Sequence, residues 1–409
     1  MTTKALMPYD WGRVSWAWED RKQWLDLPFP VEEYHDRIER ARAMMARHDL
    51  DLLFAYGIKG ESSTVRYFSN FEDYYGGETV VVIPLSGPVT LITDAVMHGE
   101  PMHSGIQETW IEDARAAASP RTVVGQEVYT VYDHIKDRVR DEKAERGRIG
   151  VSGLYSGSIR YWLQEAFPES TVVDAQRLVL KELRQYKSPR EVVLMREVAA
   201  VADAGLIATM NAVTEGATEH EAAAQGMGAM YRMGADSAPG TFAISSGPRS
   251  GFKHVAPRNK AFQKGELVFV DLSSRYKGYF CDNSRHTVVG TPTDEQLAFM
   301  EANIEITQAV IDQMKPGAVI KDLAAVAIGL AKELGVEQWL YFRGHGIGTA
   351  VQDLPAFSPK QTAALEPGQV FVFEPMLVRY DFGTACVEDM FAVHEDRVEQ
   401  LTRAPWRYW

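Results

Sequence analysis

Cysteine is scarce: the 409-residue chain has only Cys281 and Cys386. Two thiols are too few for a disulfide scaffold, and such scarcity fits a reducing, cytoplasmic setting. Long apolar runs are missing as well. No uninterrupted stretch is long enough to span a bilayer, and the start, MTTKALMPYDWGRVSWAWEDRK, lacks the apolar segment of a secretory signal. Runs of Lys or Arg are absent, and 43 Lys+Arg against 56 Asp+Glu leave a formal net charge of -13. That balance opposes DNA or RNA as the main partner. The expectation is a soluble protein acting on a small molecule, with neither nucleic acid nor membrane as partner. What is present is ordinary globular material, 45% hydrophobic and 24% charged, with enough length for two or three domains.

The first part alternates helix and strand patterns. VEEYHDRIERARAMMARHDL has helical apolar spacing, whereas DLLFAY, ETVVVIPL and PVTLITD read as strands. EVYTVYDHIKDRVRDE and SIRYWLQEAF are helices on either side of the strand RIGVSGL. Such alternation predicts a layered α/β domain over residues 1–180. A boundary follows, where Ser188, Pro189 and Glu191 make a capping-box helix start; Thr218 and Thr293 open two more. Residues 181–409 mix these helices with strands, among them TFAISSG, WLYFRGHGIG, QVFVFEPMLV and ACVEDMFAVH. The fold class expected for the second domain is α+β.

Chemistry concentrates on these apolar strands. The segment VDLSSRYKGYFCDNSR reads as a hairpin turning at Lys277-Gly278. Directly paired residues of a hairpin share a face, so Asp271 and Asp282 converge unless one of them faces solvent. Like charges resist that convergence unless a cation lies between them. Three further segments place His345 between glycines, Glu374 at the end of an apolar strand and Glu388 inside another. Each alone reads as a satisfied polar group in a core. Together, four acids and one imidazole suit hard or borderline divalent ions such as Mn, Fe or Co, with Zn an alternative. Two divalent cations would balance the four carboxylates and could act jointly on a water and a substrate oxygen.

Taken as a set, these residues resemble the creatinase/prolidase/aminopeptidase P/methionine aminopeptidase superfamily. The order Asp, Asp, His, Glu, Glu falls on Asp271, Asp282, His345, Glu374 and Glu388, with the two aspartates 282 − 271 = 11 residues apart. SPREVVLMREVAAVADAG and LEPGQVFVFEPM also look like family segments. The resemblance implies a pita-bread catalytic domain preceded by a creatinase/prolidase-like α/β domain, and a homodimer. It implies two divalent ions, manganese first. Asp271 would chelate one metal, Asp282 and Glu388 would bridge both, and His345 and Glu374 would each complete one. It implies catalytic roles for Glu374, as proton shuttle, and for His254, 271 − 254 = 17 residues before the first aspartate.

The chain also departs from that pattern. Where prolidases and aminopeptidase P usually carry histidines, it has Tyr341 and Gln352; where they carry an arginine, it has Cys386. Gln352 can only hydrogen-bond and Tyr341 is a weak base. Tyr341 and Gln352 are therefore expected to touch a specialised substrate. Tyr74 or Tyr75, in the loop NFEDYYGG, would line the site if the partner subunit's first domain covers it. The expected function is dinuclear metal-dependent hydrolysis of an amide or amidine C–N bond in a small amino-acid-derived substrate. The alternatives are a metal-assisted lyase on a small carboxylate such as dimethylsulfoniopropionate, an ordinary Xaa-Pro dipeptidase, and a pita-bread binding module without catalysis.

Overall fold

The computed structural model describes residues 18–72, 77–97, 100–101, 108–118, 129–236 and 242–409. Tyr74 and Tyr75 lie outside the described residues. The chain divides into two compact units, Met1–Leu183 and Arg184–Trp409.

The first unit is a mixed seven-stranded sheet between two helical layers. At its centre Leu52–Ile58 pairs antiparallel with Glu78–Pro84 and parallel with Arg148–Ser152. Thr90–Met97 and Thr171–Asp174 extend the sheet on its two sides. The period-2 alternation of a strand sends successive side chains to opposite faces. Leu53, Ala55, Val81 and Ile83 accordingly pack with Ile38, Ala41, Met44 and Met45 of the helix Val31–Arg47. Leu52, Phe54, Tyr56, Val80 and Val82 pack on the other face with Ile135 and Val139 of Val131–Asp141 and with Ile159 and Leu163 of Gly157–Ala166. Both faces are therefore dry, as the apolar strand runs require.

The second unit is an α+β fold of long helices and three small antiparallel sheets. Capping boxes at Ser188, Thr218 and Thr293 start the helices Pro189–Asn211, Glu219–Arg232 and Asp294–Ile311. The hairpin strands Leu267–Tyr276 and Tyr279–Val288, with Phe242–Ser246, form one sheet. Lys277 and Gly278 join the hairpin with φ of 50° and 81°, the two positive angles that a type I′ turn needs. Leu340–Tyr341, Met376–Arg379 and Gly383–Cys386 form the second sheet. The third contains Asp353–Ala356, Gly344–Gly346, Val370–Phe373, Asp389–Val393 and Val398–Gln400.

Two apolar runs that read as single strands are each broken between sheets. The chain leaves the five-stranded sheet after Phe373 and enters the three-stranded one at Met376; it returns between Cys386 and Asp389. Glu374 and Glu388 sit at these two crossings. Among the described residues no helix is long and apolar enough to cross a membrane.

Candidate metal centre

Register places both hairpin aspartates on one face. Asp271 stands opposite Ser284, and Asp282 opposite Ser273. The two acids are thus diagonal neighbours rather than a direct pair. Glu388, at its crossing, meets the same face: its backbone N–H donates to the Ser284 carbonyl at 3.1 Å, and its side chain accepts a short bond from the Ser284 hydroxyl. Ser273 Oγ donates to Asp282 Oδ1 at 2.9 Å. Glu374 is fixed by its own N–H, which donates to the Arg343 carbonyl at 3.1 Å.

His345 lies in the short strand Gly344–Gly346. The nearest neighbours of its flanking glycines are backbone atoms. A Cβ on Gly344 would come within 2.6 Å of the Val372 carbonyl oxygen, and one on Gly346 within 1.9 Å of that of Leu354. The glycines let adjacent strands close on the histidine. His345 Nδ1 is 3.0 Å from the Gly346 carbonyl oxygen. A carbonyl only accepts, so Nδ1 carries the proton and Nε2 presents its lone pair.

All five groups are buried: Asp271, Asp282, His345, Glu374 and Glu388. Donor atoms of Asp282, His345 and Glu388 all lie within 4.8 Å of one another. His345 Nε2 is 3.6 Å from Glu374 Oε1, and His254 Nε2 is 2.9 Å from Asp271 Oδ2. The electrostatics follow from burial and like charge. Asp282 is pushed well up by burial and then by the charges of Asp271 and Glu374. Glu388 is pushed well up by burial and by Asp282, Glu374 and Asp271. Glu374 rises to about 7 through burial, although Arg343 opposes the rise. Burial lowers His345, whereas the hydrogen bond to Asp271 raises His254.

A buried group of acids that repel one another needs positive charge. Oxygen donors with one imidazole lone pair match a divalent cation, so the residues present fit the metal that the sequence implies.

The remaining predicted residues lie at different depths. Tyr341 is exposed, and the ammonium of Lys253 sits 3.5 Å from the centroid of its ring. Gln352 is exposed ahead of Asp353–Ala356, and among the described residues no hydrogen bond engages its side chain. Cys386 is fully buried with Phe269, Met376 and Val378, and burial beside Glu388 pushes its thiol well up.

Sequence reasoning missed four contributors. Arg343 Nε donates to Glu374 Oε1 at 2.9 Å. Ser284 and Ser273 supply hydroxyls to two of the acids. Arg285, fully buried, donates to the Glu388 carbonyl at 2.7 Å and pairs with Asp389 at 2.8 Å. The hairpin register carries a signal for the serines, since each stands opposite an aspartate.

Comparison with known proteins identifies the family. Residues 193–395 match the model of metallopeptidase family M24, and residues 37–186 match the creatinase/prolidase N-terminal domain. An Xaa-Pro dipeptidase of Pyrococcus furiosus is 30% identical over 372 residues, covering 90% of this chain and 98% of that protein. The solved prolidase from Pyrococcus furiosus superposes with a TM-score of 0.72 at 25% identity, covering 89% and 99% of the two chains. A prolidase from Thermococcus sibiricus superposes with a TM-score of 0.79 at 20% identity, over 91% and 97%, a likeness of fold. The chain belongs to metallopeptidase family M24 within the creatinase/prolidase/aminopeptidase P superfamily and is a hydrolase dependent on divalent metal.

Proposed function

We propose that the protein is a dinuclear hydrolase cleaving an amide or amidine C–N bond in a small amino-acid-derived substrate. The observation that carries this reading is the burial of four mutually repelling carboxylates and one imidazole, drawn from the hairpin, the strand Gly344–Gly346 and the two crossings between sheets. Asp271, Asp282, His345, Glu374 and Glu388 would hold two divalent cations, manganese first among Mn, Fe, Co and Zn. When bound, such cations acidify a water and stabilise negative charge on the substrate's reacting heteroatom.

The chain's own groups supply the rest. Arg343 holds Glu374 through Oε1, which leaves Oε2 to accept a proton from the attacking water and return it to the leaving nitrogen. His254, whose pKa is raised by its hydrogen bond to Asp271 and whose side chain is partly exposed, donates to the charge that develops on the substrate. Tyr341 and Gln352, standing where relatives usually have histidines, cannot relay protons as imidazole does. That favours a specialised substrate over an ordinary Xaa-Pro dipeptide, although the Pyrococcus furiosus relative is named for that activity. A homodimer, which the family resemblance implies, is proposed as the assembly.

The test is metal analysis of the purified protein with a panel of Xaa-Pro dipeptides, guanidino acids, cyclic amidines and small betaines in ¹⁸O-water. About two divalent ions per chain and one solvent oxygen in the product are expected. Full activity without metal would refute the reading, and a product free of solvent oxygen would turn it to the lyase.

A further inference from the structure

His254 is presented by segment 247–257, which opens with the short helical turn Gly247–Phe252. The turn itself is fixed. Ser250 Oγ donates to the Gly247 carbonyl at 2.8 Å, and Thr384 Oγ1 donates to the Ser250 carbonyl at 2.8 Å. A Cβ on Gly251 would lie 2.6 Å from the Arg379 carbonyl oxygen, so the lack of a side chain lets the turn sit this close. The stretch after the turn is held far less. Among the described residues no backbone hydrogen bond engages His254 or Val255. Lys253, directly before the histidine, takes φ of 57°, a strained conformation for a residue with a side chain. Such a residue persists only where its surroundings impose it. The Lys253 ammonium on the Tyr341 ring and the contact of His254 with Asp271 are side-chain contacts of a stretch that does not fix itself.

The two ends of the segment converge on one carboxylate. Glu219, the first residue of the helix Glu219–Arg232, is fully buried. Its Oε1 accepts from the Ser246 N–H at 3.0 Å and from the Ser246 hydroxyl at 2.9 Å. Its Oε2 accepts from the Arg258 N–H at 2.9 Å and pairs with the Arg249 guanidinium. Arg249 also donates to the Ala256 carbonyl at 3.3 Å, two residues past His254. One oxygen thus holds the residue before the segment, and the other holds the residue after it. The N–H groups of Glu219 and His220 donate to the Lys260 and Arg258 carbonyls at 3.1 and 3.2 Å, which ties the outgoing end to the same helix.

We propose that Glu219 is a positioning residue for the reaction: by bonding both ends of segment 247–257 it sets His254 against Asp271 and the substrate. This rests on the hydrolase reading and on the role given there to His254. The physical need is entropic. A segment with few internal bonds samples many arrangements, and fixing its two ends together removes much of that freedom. A donor that is held out of place costs rate rather than ground-state affinity.

The experiment uses the metal-loaded full chain and the C–N substrate that the panel above identifies. Glu219→Gln, His254→Ala and the double variant are compared. Glutamine keeps the size of the side chain, but its NH₂ group would face donors at one of the two ends. Glu219→Gln should keep its metal content and lose about tenfold or more in kcat, with KM changed less than about twofold. The same change should cost nothing further in the His254→Ala background, whereas a general defect of folding would cost the same in both. Amide hydrogen exchange, read by mass spectrometry, should quicken about tenfold or more in segment 247–257 and stay unchanged in Leu267–Tyr276 and Tyr279–Val288. An equal loss of kcat with and without His254, or unchanged exchange in segment 247–257, would overturn the proposal. If wild type turns over no C–N substrate, the hydrolase reading fails instead, and the exchange pattern still decides whether Glu219 fixes the segment. Should Glu219→Gln not fold, Arg249→Met, which removes the tie to the Ala256 carbonyl, takes its place with the same deciding outcomes.

Discussion

Both units pair buried charges, as Arg37 with Glu33 in the first and Arg285 with Asp389 in the second, but the second also gathers buried acids of one sign. In the first, ionisable groups that enter the core meet an opposite charge or lose their own. Arg37 pairs with Glu33 and lies over the rings of Phe29, Tyr34 and Tyr67. Arg138 pairs with Glu142, and Arg115 with Asp113. His134 is held neutral, its pKa lowered to about 4 by burial and then by Arg115. In the second unit, acids of one sign are gathered on one sheet face. The first arrangement is complete within the chain. The second is incomplete without added cations, and that difference separates a scaffold from a site.

The largest test of this contrast is Asp282→Asn. Removing that carboxylate should cut activity by roughly 10³-fold or more and lower the bound metal, as measured by turnover and elemental analysis. In chelated protein the same change should raise the melting temperature, because it removes one member of a repelling group. A fall in both loaded and chelated protein would instead make Asp282 a packing residue.

An intermediate effect concerns pH. The folded-state pKa values of Asp282, Glu388 and Glu374 lie above their unfolded values, with Glu374 near 7. Metal-free protein therefore keeps protons that the unfolded chain releases, so its stability declines as pH rises from about 4.5 through 7. Loaded protein holds those acids as carboxylates and escapes this decline. The melting-temperature gap between loaded and chelated samples should widen from pH 5 to pH 8; a constant gap would break the contrast.

The smallest effect lies in the first unit. His134 has a folded pKa below its unfolded value, so its share of stability is present above about 6.5 and is lost as pH falls towards 4. The loss is on the order of 3 kcal/mol at full burial. His134→Gln should flatten urea-unfolding stability over that window without changing metal content. An unchanged slope would mean that His134 is not held neutral.

The sequence made much of this visible where a short-range rule governs it. Period-2 alternation and a Lys-Gly turn suffice to bring Asp271 and Asp282 to one face. Capping boxes mark Ser188, Thr218 and Thr293 because the cap and its partner are three residues apart. Glu388 was read as lying inside a strand, and that reading failed because an apolar run looks the same whether it stays in one sheet or crosses to another. Arg343 and Lys253 were invisible for a related reason: their meaning depends on Glu374 and Tyr341, which are brought near by sheet pairing rather than by sequence spacing.

The two crossings have a consequence for engineering and divergence. Glu374 and Glu388 take their positions from backbone bonds to Arg343 and Ser284, so the site is encoded in segment lengths as much as in residue types. Side chains beside the centre, such as Tyr341 and Cys386, can change while the spacing is kept. A single inserted or deleted residue between Val370 and Asp389 would turn an acid to the opposite face. Libraries that vary identity at fixed length should therefore retain metal binding far more often than libraries that vary loop length.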